Sequence, residues 1–325
     1  MSVKKVLRNN SREFGVAVAI LLMFIVFGSI DNIYFAPSNL RAIIEQATIF
    51  GLIGVGITGI IITGGIDLSV GSALALMGCI AAQVAVRGYH PLVVVAIVLC
   101  CGLVLGTFNG FLVTKMKLQP FIATMGTMSI YRGLAFVVTD GLPVLGVPSD
   151  YRRLVFGEIF PYVRTSVLVF FVFTIFMYIV LRHTRFGTYI YAVGGNNEAA
   201  RLSGIKVEKT KTMMYALGMV GTSLAALIHV GMVGTGAPAS ATGYELNAIA
   251  AAAIGGTSMA GGKGNVIGTM LGAILFAGLR VGLIVIGVDM FYQFIATGAV
   301  IIVASYLEIA QAKISSLRRK ETLAE

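Results

Sequence analysis

Charge is scarce in this chain: only 12% of its 325 residues are Asp, Glu, Lys or Arg. Soluble domains carry roughly a quarter, so an ordinary soluble fold is excluded. Histidine and cysteine are scarcer still, with three of each. His90, His183 and His229 are scattered, and no serine, histidine and acid fall together as a nucleophilic triad would require. The His/Cys spacing of a metal site is also missing. Catalytic and metal-ligating residues are therefore expected to be none. Cys79, Cys100 and Cys101 all lie inside apolar runs, where buried free thiols behave as small hydrophobes.

Apolar residues make up 57% of the chain. They form runs of about twenty, the length an α-helix needs to cross a hydrocarbon core of roughly 30 Å. Ten runs are read, near 14–30, 44–63, 71–86, 91–113, 119–139, 165–182, 212–233, 245–258, 264–286 and 289–308. The expected fold is an all-α polytopic membrane protein, a single transmembrane domain over 1–325 with about ten helices in the lipid bilayer. The first run, "VAVAILLMFIVFG", follows Lys4, Lys5, Arg8 and Arg12 as a signal peptide would, but no small-x-small cleavage site follows it. It is read as a retained span.

The net charge of +10 does not point to nucleic acid, because its placement has another cause. With the N-terminus inside, cytoplasmic segments hold 17 of the 24 Lys and Arg residues. That bias predicts both termini in the cytoplasm. The longest cytoplasmic loop is then the polar stretch at about 183–211.

Glycine is abundant, at 40 residues, and patterned. "GLVLGTFNG" places Gly102, Gly106 and Gly110 four apart in span four, and "GNVIGTMLG" places Gly264, Gly268 and Gly272 four apart in span nine. Such rows make flat helix faces that another backbone can approach. Spans four and nine are equivalent in two halves of five, which must run in opposite directions. The short spans three and eight are also equivalent. Each follows a glycine-rich break, "GGIDLSVG" (64–71) or "GTGAPASATG" (234–243). Paired interrupted helices in inverted halves are the sequence mark of a transport pathway.

Two nucleotide-like motifs mislead. "GVGITG" (Gly54 to Gly59) fits a dinucleotide fingerprint, but lies inside a span with no strand before it. "TSMAGGKG" (257–264) fails the phosphate-loop pattern at both ends. No cofactor is expected on this chain.

Polar residues within or beside the spans are the candidates for a solute pathway. Asp67 fits two compatible roles, capping the next helix or contacting a polar solute. Ser69 lies beside it, and Asn109 sits in span four, where an amide commonly bonds a neighbouring helix. Gln46, Glu245 and Asn247 lie near helix starts. Arg132 is about 20 Å up its helix from Gln119, a depth that suggests function, snorkelling or an early helix end.

In the cytoplasmic stretch "GGNNEAARLSGIKV", Asn197 is expected to cap a short helix and Gly204 to end it. Glu198 in the first turn suits the helix dipole. Ala199 and Leu202 share a face towards which Ile205 can pack. A short capped helix of this kind suits insertion into a cleft on a cytoplasmic partner.

Together "ITGGIDLSVGSALAL", "QPFIATMGTMSIYRGLAF", "GTYIYAVGGNNEAARLSGIKV" and "GYELNAIAAAAIGGTSMAGGKGNVIGT" closely resemble the ribose/xylose/galactose-type permeases of ABC importers. The similarity runs from about Asn39 to the last span. It implies a bacterial inner-membrane subunit that pairs with a second permease copy or a close homologue. It further implies cytoplasmic ATPase subunits that bind ATP and Mg, and a periplasmic binding protein that delivers a sugar. The stretch matching Gly194–Gly204 is then the segment that docks on the ATPase, through Gly195, Asn197, Glu198, Ala199, Arg201, Leu202 and Gly204. Asp67, Ser69 and Asn109 are the preferred sugar-path residues, for their hydroxyl and amide chemistry. Two other classes fit parts of the pattern: an ion-coupled secondary transporter, which needs carboxylate or histidine relays deep in the spans, and a receptor or scaffold, which needs no paired breaks.

Overall fold

A computed structural model describes residues 11–160 and 163–289, with scattered positions between 291 and 306. Nine of the ten expected spans appear there as helices. Seven are long and apolar enough to cross a membrane: α1 (Ser11–Ile30), α2 (Pro37–Ile62), α4 (Pro91–Thr114), α5 (Pro120–Val138), α7 (Thr165–His183), α10 (Val207–Val233) and α12 (Val266–Val285). The spans expected to be short are shorter: α3 (Val70–Val86) has 17 residues and α11 (Tyr244–Ile254) has 11. The tenth run, 289–308, falls largely outside the described residues.

Burial sorts these helices into core and rim. From Ala47 to Ile62 α2 is apolar on nearly every face and buried without interruption, as such a stretch must be. α10, α12, α11 and α7 surround it. α1, α4 and α5 keep most of their apolar surface outward, the arrangement expected of lipid-facing helices. Cys79 is buried as expected, whereas Cys100 lies on the exposed face of α4.

The glycine rows do the packing anticipated for them. A methyl group on Gly106 would lie 2.5 Å from the Tyr215 carbonyl oxygen, so α4 and α10 touch backbone to backbone. Gly268 meets Gly255 in the same way, seating α12 on the end of α11. Gly56, inside the dinucleotide-like motif, faces the Gly218 carbonyl oxygen, 2.3 Å from where its methyl would sit. These contacts are van der Waals fits between small residues, the main source of helix association in lipid.

Several elements were not anticipated. Between α5 and α7 lie α6 (Ser149–Phe156) and a small antiparallel hairpin, β1 (Glu158–Phe160) and β2 (Val163–Arg164). Buried Tyr151 anchors α6 by donating to the Leu227 carbonyl at 3.0 Å. Arg164 fixes the hairpin against the bundle through an ion pair with Glu45 of α2 at 2.9 Å. In the polar stretch at 183–211, α8 (Arg185–Gly195) was not expected, whereas the short helix that follows it, α9 (Asn197–Leu202), was.

Candidate functional site

The first helix break follows α2. Gly64, at φ +76°, turns the chain, and residues 65–68 run without regular structure to the start of α3. An unwound segment inside a bundle must find partners for its polar groups. Asp67 Oδ1 accepts from the Ser69 amide at 2.9 Å and the Ser69 hydroxyl at 2.7 Å. Asn109 Nδ2 donates to Asp67 Oδ2 at 3.1 Å and to Ser69 Oγ at 2.8 Å. Tyr131 closes the set by donating to Asn109 Oδ1 at 3.0 Å, and Tyr215 donates to the Ile66 carbonyl at 3.0 Å.

Three predicted residues, Asp67, Ser69 and Asn109, thus form one cluster from which solvent is excluded. Their side chains bond one another and Tyr131, while Tyr215 bonds the neighbouring Ile66 carbonyl; the sequence reading missed both tyrosines. A signal for those tyrosines exists: a phenol in an apolar helix needs a hydrogen-bond partner when buried. Asp67 bonds the amide of Ser69, the N-cap residue itself, and α3 has no side-chain cap within the helix.

The second break, residues 234–243, returns along α3. Gly236 packs against Gly78, Cys79 and Ala82, whereas Ala241 and Glu245 reach Gly71 in the first turn of α3. α11 therefore begins beside the start of α3, and the two short helices meet at their N-terminal ends. A methyl on Gly71 would lie 2.8 Å from the Ala241 carbonyl oxygen, a backbone contact that favours glycine there. Arg132 is not turned outward to a headgroup region; its guanidinium donates to the carbonyls of Pro238 at 2.5 Å and Ser240 at 2.7 Å. Glu245 Oε1 accepts from the Gly243 amide at 3.2 Å. Asn247 is buried in the first turn of α11.

Gln46 stands apart from both sets. Its Oε1 is buried with no hydrogen-bond partner among the described residues.

The polar segment around α9 is built from caps. Asn196, rather than the expected Asn197, caps α9, its side chain accepting from the Ala199 amide at 3.0 Å. The shift has a simple cause: Asn196 holds the extended backbone that a cap requires (φ −159°, ψ 108°), whereas Asn197 is already the first helical residue. At the other end Gly204 takes φ +81°. Its amide bonds the Arg201 carbonyl at 2.9 Å, and the Ile205 amide bonds the Ala200 carbonyl at 3.0 Å. These paired bonds are a Schellman C-cap.

Ala200 is buried against the rest of the chain, and Ala199, Arg201 and Leu202 face out, with Leu202 88% exposed. A groove of about 590 Å³ lies beside this helix, lined by Phe111, Lys115, Arg201, Ile205, Lys206 and Glu208 among others. Lys115 and Glu208 pair across it at 2.7 Å, an exposed contact of little energetic weight.

Paired helix breaks within a bundle of membrane-spanning helices, beside a capped helix that presents an exposed leucine, fit a transport permease. The family model described as branched-chain amino acid transport system / permease component matches residues 39–305, and the chain belongs to that family. Members are transport subunits and not enzymes. The ribose import permease of Bacillus subtilis (strain 168) is 39% identical over 298 residues, covering 91% of this chain and 92% of that protein. The ribose import permease of Escherichia coli (strain K12) is 41% identical over 290 residues, 88% of this chain and 90% of that one. The galactose/methyl galactoside import permease of the same organism is 32% identical over 315 residues, 91% and 94% of the two chains. No solved structure matches the chain.

Proposed function

We propose that this chain is the membrane-spanning subunit of a bacterial importer that moves a sugar inward, driven by a separate cytoplasmic ATPase and supplied by a periplasmic binding protein. The observation that carries the docking half is α9: capped at both ends, anchored by Ala200, and projecting an exposed Leu202. An apolar side chain 88% exposed on a rigid helix asks for a partner's pocket. The import permeases named for ribose and galactose support the sugar half.

Gly195, Asn197, Glu198, Ala199, Arg201, Leu202 and Gly204 form the docking segment in this reading. ATP and Mg belong to the ATPase, and this chain holds no cofactor. A second copy, or a close homologue, completes the translocating pair. Both termini lie in the cytoplasm and the bundle in the inner membrane, an orientation supported by the Lys and Arg bias of the loops.

Transport then couples two equilibria. ATP draws the motor domains together, and the docked helices carry that displacement to the breaks. The pair opens outward, and hydrolysis returns it. Sugar biases these states only through unequal binding to them. Asp67, Ser69 and Asn109 satisfy one another and hold the first break in shape. Gln46, with a free buried amide oxygen, and Glu245 and Asn247 at the second break are the groups left to meet sugar hydroxyls, while Arg132 fixes the segment between them.

Purification of the tagged chain from mild detergent tests this reading. A stoichiometric cytoplasmic ATPase is the expected companion. A chain that emerges alone, with uptake abolished by an uncoupler and insensitive to ATP depletion, would instead be a secondary transporter.

A further inference from the structure

Three glycine turns converge at the root of the cytoplasmic segment. Gly64 and Gly65 end α2, Gly194 and Gly195 end α8, and Gly261 and Gly262 lie between α11 and α12. Their backbones are in direct contact. A methyl on Gly194 would lie 1.7 Å from the Ile62 carbonyl oxygen and 2.7 Å from the Gly262 nitrogen. One on Gly262 would lie 3.1 Å from the Gly195 Cα, and one on Gly261 would lie 3.1 Å from the Gly64 Cα.

The contact is also bonded. The Gly262 amide donates to the Ile62 carbonyl at 2.8 Å, joining the loop after α11 to the end of α2. Tyr191 of α8 donates to the Gly264 carbonyl at 2.8 Å. Gly261 and Gly262 take φ of +86° and +71°, a conformation that side chains other than glycine rarely adopt. Backbones at this separation leave no flexible side chain to absorb a displacement.

Two of the three chain segments that meet here lead to a helix break. From Ile62 the chain enters the first break and then α3. From Gly262 one direction leads to α11, whose far end closes the second break, and the other leads to α12. We infer that Gly194, with Tyr191 and Gly262, is a positioning junction that makes α8–α9 move both breaks together, so that one docked helix drives both short helices of the pathway. This rests on the docking reading above and adds the route by which displacement enters the bundle. The alternative is a flexible attachment, in which α9 only holds the ATPase in place.

The test uses the reconstituted importer with its ATPase, binding protein and sugar, and reads sugar accumulated per ATP hydrolysed. Tyr191→Phe removes one hydroxyl and keeps the ring; Gly194→Ala inserts one methyl between the backbones. Both are expected to keep the ATPase bound and hydrolysing, while the uptake-to-hydrolysis ratio falls, by about tenfold for Gly194→Ala and less for Tyr191→Phe. Unchanged ratios in both variants, with ATPase bound, would overturn the junction. Tyr191→Phe decides alone if Gly194→Ala does not fold, since a purely structural hydroxyl would lower stability without uncoupling. Leu202→Asp separates the two readings. Retained ATPase binding there defeats docking itself, whereas lost binding there with unchanged ratios in the junction variants defeats only the junction.

Discussion

Tyr131 and Arg132 are neighbours on α5, and each holds a different helix break. The Tyr131 hydroxyl lies 3.0 Å from Asn109 Oδ1, in the cluster that fixes Asp67 and Ser69. The Arg132 guanidinium lies 2.7 Å from the Ser240 carbonyl, in the segment that leads into α11. One turn of one helix thus supports the irregular backbone before both short helices. Removal of either side chain should loosen its own break and leave the other's contacts in place.

Asn109→Ala would leave Asp67 Oδ2 buried without the donor it now has. An orphaned buried acceptor costs about 2 kcal/mol, and more when it is charged. The expected result is a lowered thermal midpoint in detergent and reduced uptake. Asn109→Asp should do worse, since it puts a second carboxylate against Asp67.

Arg132→Ala would strip donors from two carbonyls at once, those of Pro238 and Ser240. Hydrogen bonds from a charged donor are worth about 1.5–3 kcal/mol each. Uptake should fall steeply, with faster proteolysis at residues 234–243. Arg132→Lys should recover only part, because the lysine ammonium ends one bond short of the Nη1 that reaches both oxygens.

The two asparagines at the start of α9 make a direct comparison. Asn196→Ala removes the cap and should destabilise the short helix by about 1 kcal/mol, weakening ATPase association. Asn197→Ala should have little effect on helix formation. Titration of the ATPase against each variant checks the order, and equal losses would mean that Asn197 makes a contact of its own.

Two glycines distinguish helix packing from open surface. Gly106→Ala drives a methyl to 2.5 Å from the Tyr215 carbonyl oxygen, whereas a methyl on Gly126 meets nothing within 4 Å. Overpacking at the first should cost about 1–3 kcal/mol and be visible as loss of monodisperse protein. Gly126→Ala should be neutral in the isolated chain. A loss of pairing between permease copies in that variant would place Gly126 at their contact.

The long spans were legible because apolar length alone predicts them, and the short ones because their glycine breaks were visible. The glycine rows were legible too, since small residues four apart have few other uses in lipid. Elements that depend on tertiary anchoring were not. α6 is polar and short, and stands because Tyr151 and Arg152 reach carbonyls on α10, at Leu227 and Gly231. Asp67, Ser69 and Asn109 could be chosen singly by their polarity, but their mutual bonds depend on how α4 crosses the first break. Asn196 and Asn197 are equal in composition, and only the backbone angle at the entry to α9 separates them.

The most direct test of the whole account is uptake in vesicles that contain this chain, its ATPase and its binding protein, with labelled pentoses and hexoses supplied in turn. The account predicts that one such sugar accumulates only when ATP and the binding protein are both present, and that an uncoupler has no effect. Accumulation by the chain alone, driven by a proton or sodium gradient, would contradict it.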